Sequence, residues 1–182
     1  LPVQSGSNKI LQAMNRKHTI DYYLKLIEKI KKVKPNIKFS SDFIIGYPGE
    51  TYGDFQKTIE LMNNVKFINS YSFIFSARPG TPAYNLIKIN HKDAKKRLIN
   101  FQKTAEKIKT EYRKNLINKI STVLFENKTQ NENKYFGRDE YSNSVIVKSD
   151  VSLIGKIKSV KVLKVNQSTL FGEIESNLNQ RN

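Results

Sequence analysis

The sequence predicts an incomplete α/β unit with parallel strands, followed by a small all-β barrel. Two observations carry this prediction. Short apolar runs alternate with segments of helical period in the first part of the chain, the pattern of strands joined by helical crossovers. After Ile120 the texture changes to short β-branched runs with period two, at the spacing of a small barrel.

Leu1-Pro2-Val3-Gln4 reads as the tail of a strand running into Ser5-Gly6-Ser7-Asn8, a loop with helix-capping chemistry. A short helix through Ile10, Leu11 and Met14 follows. Thr19 then caps a longer one, with Ile20, Tyr23, Leu24, Ile27 and Ile30 at helical spacing, which Pro35 ends. Lys38 to Ile45 is a short apolar run that fits a buried parallel strand, stopped by Gly46-Tyr47-Pro48-Gly49. Asp54 to Asn64 is a third helix, Tyr71 to Phe75 an aromatic strand, and Arg78-Pro79-Gly80-Thr81-Pro82 a rigid loop. The loops beginning at Gln4, Gly46 and Ser76 then lie at strand C-termini, where parallel α/β folds place their functional groups. Too few strands are present to close this barrel.

Lys92 to Leu116 is an unbroken amphipathic helix, its apolar positions Ala94, Leu98, Phe101, Ala105, Ile108, Tyr112 and Leu116 stepping by three or four. Lys95, Lys96, Arg97, Lys103, Lys107, Lys109, Arg113 and Lys114 are expected on its outer face, which is a solvated helix face before it is a track for a phosphate backbone. Beyond it, Ser121–Phe125, Ser144–Val147, Ile154–Val165 and Leu170–Ile174 are the expected strands, with a polar loop over Asn127–Asn133 and a frayed tail over Asn177–Asn182. The domain boundary falls near Asn118, giving 1–118 and 119–182.

The chain has 182 residues and a formal charge of +16, which favours a polyanionic partner, nucleic acid first. From Lys119 onward there are ten basic and seven acidic side chains, a surplus of three, so thirteen of the net positive charges lie in the first part. Contact with RNA is then expected from both. No apolar run is long enough to span a bilayer and the start shows no signal-peptide pattern, so the chain reads as soluble with no membrane partner. A cytoplasmic location and a monomeric state are expected. With no cysteine, disulfides and thiolate-held zinc or iron–sulfur clusters are excluded within these residues. His18 and His91 lack metal-ligand spacing, so neither a metal ligand nor a catalytic residue is assigned.

Several residues carry two readings. Gly46-Tyr47-Pro48-Gly49-Glu50 is either a plain turn or a place where a ligand approaches the backbone, with Glu50 available to a cation or hydroxyl. Gln4, Ser5 and Ser7 either cap a helix or hydrogen-bond ribose hydroxyls. Arg78 is an exposed turn residue or a phosphate contact. Arg138, Lys148, Lys156, Lys158, Lys161 and Lys164 accompany Tyr135, Phe136, Tyr141 and Phe171, a mixture suited to phosphate contact and base stacking, or to an ordinary barrel with about half of these rings in its core.

Leu1-Pro2-Val3-Gln4-Ser5-Gly6-Ser7 followed by Met14-Asn15-Arg16-Lys17-His18-Thr19 resembles the methylthiotransferase branch of the radical-SAM enzymes. Ser40-Ser41-Asp42-Phe43-Ile44-Ile45-Gly46-Tyr47-Pro48-Gly49-Glu50-Thr51, Asp54-Phe55 and Ser76-Ala77-Arg78-Pro79-Gly80-Thr81-Pro82-Ala83 resemble the MiaB group in particular. Gly137-Arg138, Ile154-Gly155 and Leu170-Phe171-Gly172-Glu173 are similar to the TRAM domain that closes those proteins. The resemblance implies the last strands and helices of a partial radical-SAM (TIM-like) barrel, then a TRAM (OB-like) barrel that binds RNA.

The implied activity is methylthiolation of C2 of N6-isopentenyladenosine beside the tRNA anticodon, with S-adenosylmethionine, two [4Fe-4S] clusters and an electron donor for the cluster. The implied partner is the tRNA anticodon stem-loop. Sibling enzymes acting on threonylcarbamoyl-adenosine or on a ribosomal-protein aspartate are the near alternatives, and a non-catalytic RNA-binding module the distant one. By position in the motifs, Gln4 and Ser5 match a loop near the SAM ribose and methionine, Ile44 and Gly46 the pattern beside its adenine, and Arg78 a loop on the substrate side. That pattern is G-x-I-x-G-x-x-E, and here Asp42 replaces its first glycine while Glu50 comes one place late. The cluster-binding cysteines are absent, so this chain alone is expected to be a catalytically inert part of a longer protein.

Overall fold

A computed structural model describes residues 1–130 and 133–175, which form two compact units, Leu1–Lys109 and Thr110–Asn182. The expected tail over Asn177–Asn182, and Asn131 and Glu132 of the expected polar loop, lie outside the described residues.

The first unit contains α1 (Asn8–Ala13), α2 (Ile20–Val33), β1 (Ser40–Ile45), α3 (Tyr52–Val65), β2 (Asn69–Ile74) and α4 (His91–Lys114) up to Lys109. Thr19 caps α2, its hydroxyl accepting from Tyr22 N at 3.3 Å. α3 begins two residues before the expected Asp54 because Thr51 and Asp54 form a capping box: Asp54 N donates to Thr51 Oγ1 at 3.1 Å and Thr51 N to Asp54 Oδ2 at 3.0 Å. β1 and β2 pair in parallel, from Ser40 beside Asn69 to Ile45 beside Ile74. The expected strand at Leu1–Gln4 is reduced to one parallel bridge, Gln4 to Phe43.

Alternation gives the sheet two faces. Ser41, Phe43 and Ile45 are buried against the helices, where the Phe43 ring lies 5.5 Å from Phe67 and 4.8 Å from Phe101 between centroids. Val3, Tyr23, Ile27, Phe55, Met62 and Ile108 belong to the same core. The opposite face carries Asp42 and Ile44, half-buried, beside Tyr71 and Phe73, which are 58% and 61% exposed.

In the second unit, β3 (Ile120–Lys128), β4 (Lys134–Asp139), β5 (Ser144–Lys148), β6 (Ile157–Val165) and β7 (Thr169–Ile174) close into a barrel in the order β3-β4-β5-β7-β6. All pairs are antiparallel except β5–β7. Val123, Phe125, Tyr135, Val145, Val147, Leu153, Val160, Val162 and Leu170 fill the interior. Gly137 shows why a small barrel needs glycine facing inward, since a Cβ there would sit 2.5 Å from Leu124 O. β4 is a strand absent from the expected set, because Gly137 and Arg138 interrupt its apolar alternation. β3 also runs on to Lys128, into the expected loop. β6 starts only at Ile157, since Gly155 (φ +72°) and the bond from Lys156 N to Leu153 O make residues 153–156 a turn.

Candidate functional site

In the first unit the candidate groups gather at the C-terminal end of the sheet. Gly46 follows β1 with φ +74°, and its N–H donates to Glu50 Oε2 at 3.1 Å. A side chain at Gly46 is also excluded by Ala94, whose Cβ would lie 2.9 Å from the added carbon. Glu50 N donates back to Tyr47 O at 2.9 Å, Tyr47 Oη donates to Ala13 O at 2.9 Å, and Lys9 Nζ donates to Gly49 O at 2.9 Å. The loop 46–50 is therefore a turn held in one conformation by these four bonds.

Glu50 is buried, and the cation beside it belongs to this same chain. Arg97 of α4 reaches it from Nη1 at 2.7 Å to Oε1 and 2.9 Å to the backbone O. Burial raises the Glu50 carboxyl above its ordinary value, opposed by the hydrogen bonds from Arg97 and Gly46. This places Arg97 inward, with only 14% of its side chain exposed, and corrects its expected position on the solvated face of the helix. Arg113, expected on that face too, is buried, its Nη1 donating to Gln167 O in the second unit. Helical spacing did not reveal this, because the partner carboxylate is 47 residues away.

Gln4 lies beside this loop with φ +72°; its N donates to Asp42 O at 3.0 Å and its O accepts from Ile44 N at 2.9 Å. The residue is only 8% exposed, and its side-chain amide makes no hydrogen bond to any described residue. Ser5 and Ser7 behave differently: Ser7 takes the N-cap position of α1, but neither hydroxyl makes a cap bond to the helix. Ser5 Oγ accepts from Ser7 N at 3.2 Å and lies 3.5 Å from Thr58 Oγ1; Ser7 Oγ donates to Asp54 Oδ1 at 2.7 Å, with no cap bond from the Ser7 side chain to α1. Burial alone would raise the Asp54 carboxyl, but hydrogen bonds from Ser7, Thr51 and Lys9 outweigh it and hold it below the usual carboxylate range. Asp54 and Thr58 were missed by the sequence reading, although Thr51-x-x-Asp54 is a readable capping signature.

Gln4, Ile44 and Gly46 thus bring an open amide, a half-buried apolar side chain and a close-approach glycine to one sheet end, a set that fits a nucleoside-like cofactor. An iron–sulfur cluster does not fit these residues, because the chain has no cysteine; among the described residues no group of histidines and carboxylates is arranged to hold a metal ion. Arg78 is exposed in the loop after β2, where its carbonyl accepts from Thr81 Oγ1 at 2.7 Å.

In the second unit, Arg138, Lys148, Lys156, Lys158 and Lys164 are exposed and Lys161 is half-buried. Lys156, Lys158 and Lys161 lie on or beside β6, next to the exposed apolar residues Ile120, Leu124 and Ile157. Arg138 pairs with Glu126 at 3.3 Å and lies 5.4 Å from the centroid of the Phe136 ring. Of the four aromatics singled out beside them, Tyr135 is in the core, while Phe136, Tyr141 and Phe171 are half-buried.

Residues 1–62 match the radical SAM superfamily model, and residues 114–174 match the TRAM domain model. Across 96% of the chain, 53% of residues are identical to the tRNA-2-methylthio-N(6)-dimethylallyladenosine synthase of Pelagibacter ubique (strain HTCC1062). The chain is similar to this synthase over nearly its whole length. The same named synthase of Wolbachia pipientis wMel is 45% identical over 94% of the chain, and that of Buchnera aphidicola subsp. Baizongia pistaciae is 44% identical over 98%. The chain spans about two-fifths of the length of these curated relatives, covering 39%, 40% and 41% of them. The held loop 46–50 lies in the segment that matches the radical SAM superfamily model, and the closed β-barrel in the segment that matches the TRAM domain model. Among the described residues, no helix is long and apolar enough to cross a membrane.

Proposed function

We propose that the chain is the C-terminal part of a radical-SAM methylthiotransferase that acts on C2 of N6-isopentenyladenosine next to the tRNA anticodon. The observation that carries this reading is the 53% identity over 96% of the chain to a synthase named for that nucleoside. Residues 1–118 are the last strands and helices of a partial TIM-like barrel, and residues 119–182 an OB-like TRAM domain. The unpacked sheet face with Tyr71 and Phe73 supports the barrel reading, since that face has the exposure of a lumen wall.

S-adenosylmethionine and two [4Fe-4S] clusters supply the radical and the sulfur, the cluster ligands lying outside these residues. Gln4, Ser5, Ile44 and Gly46 hold the S-adenosylmethionine. Gln4 offers its free amide to a polar group of the nucleoside and Ile44 an apolar wall, while Gly46, buried with its N–H bonded to Glu50, sets the course of the loop beside them. Ser5 acts through its place in the loop, because its hydroxyl is engaged with Ser7 and Thr58. Glu50 and Arg97 hold Gly46 in place. Arg78, Arg138, Lys148, Lys156, Lys158 and Lys161 contact the anticodon stem-loop, which their charge suits. The protein works in the cytoplasm as a monomer and takes electrons from a separate donor.

Deleting the gene in its native cell and measuring tRNA nucleosides by mass spectrometry tests this. Loss of the methylthio group from isopentenyladenosine, restored by a longer gene carrying the cluster cysteines, is the expected result. Retention of that group, with loss of a methylthio group from threonylcarbamoyl-adenosine or from a ribosomal protein, would move the assignment to a sibling enzyme.

A further inference from the structure

The outside of the barrel carries an aromatic row that none of these assignments uses. Strand pairing sets Phe136 of β4 beside Ile146 of β5, Ile146 beside Phe171 of β7, and Phe171 beside Lys164 of β6. Their strand neighbours Tyr135, Val145, Val147 and Leu170 are buried inside, so by alternation the row faces outward, and its three apolar side chains are half-buried. Two strand spacings separate the rings, roughly 10 Å.

Cations bracket the row. On one side Lys134 pairs with Lys148, and on the other Arg138 sits beside Ser144, with its guanidinium over the Phe136 ring. Lys134, Arg138, Lys148 and Lys164 are all exposed. The carboxylates nearest in the pairing scheme are Glu126, which is bonded to Arg138, and Glu173, which pairs with Lys161. A flat apolar row with a positive margin suits a ligand with planar apolar faces and a negative backbone.

We infer that Phe136 and Phe171 form a stacking platform for unpaired RNA bases, with Lys134, Arg138, Lys148 and Lys164 contacting the flanking phosphates. The inference rests on the RNA-binding role proposed above and narrows it to single-stranded nucleotides. Bases within a duplex present only their edges, whereas a splayed loop or single-stranded end offers the faces these rings need. Sequence alone could not select these two rings from the four aromatics nearby, because only the barrel registers bring them into one row.

The test uses the whole 182-residue chain, an anticodon-arm RNA with 2-aminopurine in its loop, and a blunt RNA duplex of equal charge. Phe136→Leu and Phe171→Leu keep an apolar outer surface, and circular dichroism melting verifies the barrel. Each variant should bind the loop RNA about 5- to 150-fold more weakly, the range expected for one lost stacking contact. Duplex affinity and the salt slope should stay unchanged, and the 2-aminopurine quenching seen with the parent should be lost. Lys148→Glu should instead lower the salt slope by about one while keeping the quenching.

Leu variants that bind the loop RNA as tightly as the parent, with quenching intact, would overturn the platform and leave RNA binding standing. Equal losses on loop and duplex would also overturn it, as the rings would then serve the surface in general. A parent chain that binds neither RNA would overturn both the platform and the RNA-binding role.

Discussion

At Glu50 and Arg97 a buried charge pair holds a backbone amide in place. Glu50 loses hydration on burial and recovers it from the Arg97 guanidinium and the Gly46 N–H. Removing the cation leaves that carboxylate buried and unpaired, which typically costs about 3–5 kcal/mol. Arg97→Met should therefore lower stability by an amount in that range, read by urea denaturation, and should raise the Glu50 carboxyl further. Faster amide exchange at Gly46 would mark the local release; an unchanged denaturation midpoint would show that the pair contributes nothing.

Asp54 shifts in the other direction. Its carboxyl is held below the usual range, so in acid the unfolded chain binds a proton more readily than the folded one. Its contribution is complete above the unfolded value of about 4 and is lost as pH falls through the depressed folded value. Asp54→Asn should cost about 1–2 kcal/mol at pH 7, the usual worth of a cap, and should flatten the acid limb of the stability profile. Equal slopes for parent and variant between about pH 5 and 2 would contradict this.

Among the elements, the helices were the most legible. The cap at Thr19 and the period of α2 and α4 are local properties of the chain, and the helices start within a residue or two of where these signals put them. β4 was illegible because Gly137 interrupts its pattern, yet that glycine is what the barrel requires. Gly137→Ala should force a Cβ against Leu124 O and destabilise the second unit by about 1–3 kcal/mol, as overpacking does. Gly155→Ala instead tests the strain of a positive φ with open space around it, and should cost about 1 kcal/mol. Thermal melts of the two variants separate collision from backbone strain, and equal shifts would refute the distinction.

For the molecule as a whole, charge and cysteine content set the strongest expectations. A net charge of +16 predicts RNA binding that weakens steeply with salt. Lys156→Glu with Lys158→Glu should reduce both affinity for the anticodon arm and the salt slope, and binding equal to the parent would remove β6 from the RNA surface. With no thiolate, the chain by itself should bind no iron after anaerobic reconstitution and form no 5′-deoxyadenosine from S-adenosylmethionine. Iron retention together with cleavage would overturn that expectation.

The sequence by itself determined what depends on residue identity and on neighbours close in the chain: the net charge, the lack of cysteine, the helix periods and caps, the change from helical to strand texture after Ile120, and motifs specific enough to point to one family. Only the tertiary structure decided which distant side chains meet. It turned Arg97 inward to Glu50, engaged Ser5 and Ser7 with Thr58 and Asp54, and left the Gln4 amide open. It also sorted Tyr135 into the barrel core and Phe136 and Phe171 onto its outer surface. The physical reason is range. Helix and capping signals act over three or four residues, whereas a buried ion pair or a row across a sheet is set by packing and register between segments tens of residues apart.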